Sequence, residues 1–111
     1  MRFPLLLATV LALTAACGGV QFGAGDAKAA DACGAFAKVV VQTADNSITP
    51  EEGVKGLAEA AELAQAAFNF DDRYRQLAID IRDLHDAVGT EEFRAAGERV
   101  QRDCEPVLKA D

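Results

Sequence analysis

From Ala27 onward, apolar residues recur at steps of three and four and mark out four amphipathic helices. The first carries Cys33, Phe36, Ala37, Val40 and Ala44 on one stripe and runs out at the turn-forming cluster Asp45-Asn46-Ser47. Val39-Val40-Val41 is β-branched, but the sustained helical period and the flanking alanines outweigh a strand. The second helix has the clearest start. Thr49 caps it, Pro50 suits the first helical position, and Glu52 completes a capping box. Its stripe reads Val54, Leu57, Ala58, Ala61, Ala64 and Phe68, a face small enough for a neighbouring helix to approach closely. A third helix starts around Asn69 to Asp72, where acidic side chains favour the positive end of the helix dipole. It presents Tyr74, Leu77, Ala78, Ile81, Leu84, His85 and Val88, and Gly89 is its natural stop. Thr90 caps the fourth, whose inner side is Phe93, Ala96, Gly97, Val100, Cys104 and Val107. Pro106 is expected to end or bend that helix near Asp103 to Glu105. Arg94–Glu98 and Glu98–Arg102 are spaced as i,i+4 ion pairs on its outer side.

The amino end follows a different pattern. Met1 and Arg2 precede an apolar run from Phe3 to Leu13, interrupted only by Pro4 and Thr9. A run of about 11 residues is short of the roughly 20 needed to span a bilayer and has the make-up of a secretory signal. Its end, Leu13-Thr14-Ala15-Ala16-Cys17, resembles the lipobox of bacterial lipoproteins, with the leucine one place further upstream than is usual. The resemblance implies cleavage between Ala16 and Cys17, with the small residues Ala15 and Ala16 fitting the peptidase. It also implies a diacylglycerol on the Cys17 thiol. On this reading residues 1–16 are a signal peptide. Residues 17–26, which include Gly18, Gly19, Gly23 and Gly25, form a lipidated, flexible tether with Phe22 as its bulky residue. Residues 27–111 are the folded domain. The competing reading is an ordinary secretory signal, cut after Ala16 or near Ala27 or Ala29, that releases a soluble protein.

Cysteine arithmetic favours the lipoprotein. Of the 3 cysteines, lipidation removes Cys17 and leaves Cys33 and Cys104 to pair in an oxidising compartment. Topology agrees. Four helices joined by short turns run up-down-up-down, which brings the start of the first and the end of the fourth together. Cys33 and Cys104 sit at those two places, both on apolar stripes. The expected fold is therefore all-α, a small antiparallel four-helix bundle stapled by one disulfide.

Charge narrows the partners. The chain has 11 basic and 18 acidic side chains, and loss of Arg2 with the signal leaves a formal charge of −8. Such a molecule repels phosphate backbones and anionic headgroups, so no nucleic acid is expected and the membrane is held through acyl chains at Cys17. Catalytic chemistry is sparse. His85 is the sole histidine and lies on an apolar stripe, as a structural histidine does. Asp80, Asp83 and Asp86 point around their helix, not to one spot. Glu51, Glu52, Glu59 and Glu62 read as a solvated face. The stretch from Asp45 to Glu52 lacks the residue order of a calcium loop, and no cofactor or metal is expected. Tyr74 and His85 are conceivable haem-iron ligands, yet 11 residues on one helix separate them by about 16 Å. The expected function is that of a cell-envelope lipoprotein on the extracytoplasmic face of the cell membrane, with a Gram-negative outer membrane also open. It would be a non-enzymatic interaction or structural accessory module contacting another envelope protein. The alternative is an exported carrier of haem or another hydrophobic ligand.

Overall fold

The computed structural model describes residues 23–109. The expected signal peptide, the expected cleavage between Ala16 and Cys17, and Phe22 all fall outside the described residues. Four helices, α1 (Ala24–Ala44), α2 (Pro50–Phe70), α3 (Arg75–Asp86) and α4 (Phe93–Lys109), alternate in direction to form the expected antiparallel bundle. A single 3-10 turn, Asp72–Tyr74, joins α2 to α3.

Local chemistry sets most of the helix ends. Asn46 takes a left-handed φ of 62°, tolerable for an asparagine, and closes α1. The Asp45 carboxylate accepts from both the backbone N–H and the hydroxyl of Ser47, at 2.9 and 2.6 Å. The capping box on α2 forms in full: the Thr49 hydroxyl accepts from the Glu52 N–H at 3.1 Å, and the Glu52 carboxylate accepts from the Thr49 N–H at 2.8 Å. Thr49→Ala is expected to remove about 1 kcal/mol of stability, read as a melting temperature lower by about 4–8 °C. An unchanged melt would show that water caps this end equally well. Gly89, with φ of 83°, makes the reversal after α3. The Thr90 hydroxyl accepts from the Glu92 N–H at 3.2 Å just ahead of α4.

Three expectations about the ends are corrected. Helix α1 begins at Ala24, so residues 24–26 belong to the bundle and not to a tether. Gly25 is buried there because a Cβ on it would lie 2.8 Å from Asp71 Cβ; only glycine lets the first turn of α1 sit against the end of α2. Helix α2 runs to Phe70, and the acidic residues placed at the start of the third helix instead build the 3-10 turn, where the Asp71 carboxylate accepts from the Arg73 N–H at 3.0 Å. Pro106 neither ends nor breaks α4, which continues to Lys109. The carbonyl that loses its partner belongs to Arg102, on the exposed side of the last turns, where solvent can take up the acceptor.

The core is small and alanine-rich. Ala29, Ala32, Ala60, Ala64 and Ala67 are fully buried, and its largest fully buried side chains are Ile81, Leu84, Val100 and Cys33. Alanine on both faces lets α1 pack far more extensively against α2 than against α4. Cys33 and Cys104 are joined, with Cα atoms 5.5 Å apart, and tie α1 to α4 at the lower end of their seam.

Candidate functional site

The roll of α1 about its own axis creates the most unusual surface of the molecule. A Cβ at Gly56 would lie 2.5 Å from Val39 Cγ2, so that glycine makes room for Val39 in the α1–α2 seam. With Val39 turned inward against the core, Val40 is turned away from it. The stripe expected to bury Val40 and Ala44 is therefore corrected: both are exposed, because the close α1–α2 contact rotates the upper half of α1. Phe93, expected on the inner side of α4, is exposed too, since α4 lies apart from α1 above the disulfide.

The result is an apolar groove between α1 and α4. Its lower part holds about 640 Å³ and is lined by Phe36, Val40 and Val41 from α1 and by Cys104 and Leu108 from α4, among others. A further 360 Å³ continues upward between Val39, Leu57, Leu84 and Phe93. The two parts share Phe36, Val40, Glu98 and Gln101. Val40, Val41, Phe93 and Leu108 are 49%, 61%, 41% and 45% exposed, so large apolar side chains gather along this one cleft at the solvent boundary. Phe70 and Val88 are exposed as well but do not line the groove, and an exposed apolar cluster sets this cleft apart from such scattered residues.

Charged residues edge the groove along α4. Arg94, Glu98, Arg102, Glu105 and Lys109 line it at spacings of three and four, alternating in sign at each step. Glu105 pairs with Lys109 at 3.6 Å. The expected Arg94–Glu98 and Glu98–Arg102 pairs are not made: among the described residues, no ion pair within 4 Å involves any of the three.

Behind this wall lies a second feature, a pair of carboxyl groups between α3 and α4. Asp80 is 3% exposed, accepts from the Gln76 amide at 3.0 Å, and has the Arg99 guanidinium 3.8 Å away. Asp103, half-buried on α4, turns a buried Oδ2 toward it that finds no donor. Two ionised carboxylates could not share that space, and a proton on Asp103 supplies the missing hydrogen bond to Asp80. Burial, then the hydrogen bond and the charge of Asp80, push Asp103 up to about 7. The sequence reading missed this pair. As expected, Asp80, Asp83 and Asp86 point in different directions, Asp80 into the α3–α4 contact and the other two to solvent; the helical step from Leu77 to Asp80 is the signal for the burial of Asp80.

The candidate ligands Tyr74 and His85 are not brought together, and neither lines the groove. Tyr74 donates its hydroxyl to Asp26 in the first turn of α1, and burial, reinforced by that carboxylate, pushes the phenol up to about 12. Arg73 bonds both Asp26 at 2.6 Å and Asp71 at 2.8 Å, which holds the Asp71 carboxyl below its usual range. This cluster locks the start of α1 to the α2–α3 connection. His85 is partly exposed beside Asp86, 3.3 Å away. Among the described residues, no three His, Cys, Asp or Glu side chains gather as a metal site, and no helix is long and apolar enough to cross a membrane.

Fold and site together define a disulfide-stapled four-helix bundle with an open apolar seam between its first and last helices. No family model, curated protein or solved structure matches the chain.

Proposed function

We propose that the chain is a bacterial envelope lipoprotein, held to the membrane by acyl chains on Cys17, whose bundle acts by protein–protein contact without catalysing a reaction. The observation that carries the contact role is the groove between α1 and α4, where Val40, Val41, Phe93 and Leu108 meet solvent along one cleft. The anchoring half rests on the lipobox resemblance. Pairing of Cys33 with Cys104 supports it, because Cys17 is then the one cysteine left for lipidation. The membrane is the extracytoplasmic face of the cell membrane or, in a Gram-negative cell, the outer membrane.

Cys17→Ser is expected to abolish acylation and leave an uncleaved precursor, read by intact mass and membrane fractionation. A Cys17→Ser chain that matures normally would sink the anchoring half. The contact half is tested by cross-linking in the native envelope: Val41→Asp and Leu108→Asp should each remove adducts that the parent chain forms. Equal adducts from parent and variants would sink it.

The groove also favours a second reading, a carrier for a hydrophobic ligand, since about 640 Å³ falls in the range of roughly 300–1,000 Å³ typical of small-molecule sites. For haem in particular, the two side chains best able to ligate iron, Tyr74 and His85, stand away from this apolar lining. A Soret shift on adding haem, lost in both His85→Ala and Tyr74→Ala, would establish the haem form of that reading. Native mass spectra carrying a bound lipid would establish the lipid form.

A further inference from the structure

We propose that a second copy of this chain covers the groove, with α4 packed antiparallel on α4 of the other copy about a two-fold axis beside position 100. The inference rests on the contact role of this face and names its partner.

The charges on α4 carry the argument. An antiparallel two-fold through position 100 sets each residue against the one whose number completes 200. Glu98 of one copy then faces Arg102 of the other, and symmetry repeats the pair. Arg94 falls within one residue of Glu105 of the second copy, and Lys109 comes level with the turn ahead of α4. The charges along the groove wall from Arg94 to Glu105 meet their opposites. Arg94, Glu98 and Arg102 make no ion pair within 4 Å among the described residues, so they remain available to one. Interfaces built by a two-fold need this self-complementarity, and the alternating charges of α4 supply it. Near the axis stand Gly97, which has no side chain, and Gln101, which is uncharged, so no like charges meet there.

The apolar side chains fit the same operation. Counted upward from the Cys33–Cys104 bond along two antiparallel helices, Val40 and Val41 come level with positions 97 and 96. The two-fold carries those heights to positions 103 and 104 of the second copy. The Val40–Val41 ridge of each molecule thus falls over the part of the other's groove lined by Cys104, Glu105 and Leu108. Ridge and groove are closed together.

Other occupants fit less well. A small amphiphile would leave Val41 and Leu108 at the surface in water, whereas ligand sites enclose most of their ligand. An anionic membrane surface needs a face of one positive sign, and this one alternates. Repulsion between two chains, each of formal charge −7, is screened beyond about 8 Å at physiological salt, while the facing pairs act at contact.

The test uses the full-length chain made in a bacterial envelope, extracted in detergent, and weighed by sedimentation equilibrium with the detergent density-matched. The parent chain should sediment as two copies. Glu98→Arg alone, or Arg102→Glu alone, places like charges together twice per pair of molecules and should weaken association about tenfold or more. The double swap Glu98→Arg with Arg102→Glu should restore it. Both positions are exposed, so circular dichroism and the Cys33–Cys104 bond should be unchanged in all three. Val41→Asp, which leaves the charges intact, should also give single copies. A parent chain that sediments as one copy at every concentration, with or without bound lipid, overturns the proposal, and so does a double swap no tighter than the single ones. If the parent is a single copy but Val41→Asp still removes envelope adducts, the contact role survives and the second copy falls.

Discussion

Reduction of the Cys33–Cys104 bridge is expected to lower the melting temperature of the bundle by roughly 15–30 °C. The two cysteines are 71 residues apart in sequence, and closing a loop of that length stabilises a fold by about 4 kcal/mol in the chain-entropy model. For a domain of this size that is a large share of the total, because its core offers little else. Among its larger fully buried side chains are only Ile81, Leu84 and Val100 besides Cys33, and the α1–α2 seam is mostly alanine. Small domains with such cores depend on covalent staples. A thermal melt with and without reductant measures the effect, and a Cys33→Ala, Cys104→Ala double variant separates the cross-link from the packing of its sulfurs. A melt indifferent to reductant would mean that α1 and α4 hold together without the bond.

Asp103 has its carboxyl raised from 3.8 to about 7 in the fold by burial and by its bond to Asp80. A raised acid binds its proton more tightly in the folded chain than in the unfolded one. Its contribution is therefore full below pH 3.8, falls as pH rises through the interval to about 7, and is gone above it. Asp103 is only half-buried, so solvent screening reduces the effect to the order of 1–2 kcal/mol, or about 5–10 °C in melting temperature. Asp103→Asn places an N–H where the proton sat, keeps the bond to Asp80 at every pH, and should flatten this part of the profile. The variant should match the parent near pH 4 and exceed it near pH 8. Parallel profiles for the two proteins would remove Asp103 as the titrating group.

The parts of this architecture legible in the sequence are those set by neighbours along the chain. The capping box Thr49-Pro50-Glu51-Glu52, the asparagine-containing turn after Ala44 and the stop at Gly89 each depend on a few consecutive residues, and each forms. Pairing of Cys33 with Cys104 was legible because it needs only the alternation of helix direction. The groove was not. Val39 and Val40 are equally apolar, and which one turns inward is decided by Gly56 on another helix. Periodicity fixes the width of a buried stripe but not its phase to within one residue. The burial of Gly25 was hidden for the same reason, since its contact is with Asp71, far away in the chain. The burial of Asp80 was hidden too, since it depends on partners brought together by packing, Gln76 one turn away and Arg99 and Asp103 on another helix.

The position of the covalent bond has a mechanical consequence. A pull applied at the amino end first meets the Tyr74–Asp26–Arg73 cluster and can unwind only residues 24–32 before it reaches Cys33. Beyond that point the load crosses a sulfur–sulfur bond directly into the last helix, the one bearing the charged wall of the cleft, and the packed interior between them is bypassed. Tension between the amino end and whatever grips that helix would stretch the strand between without melting the bundle.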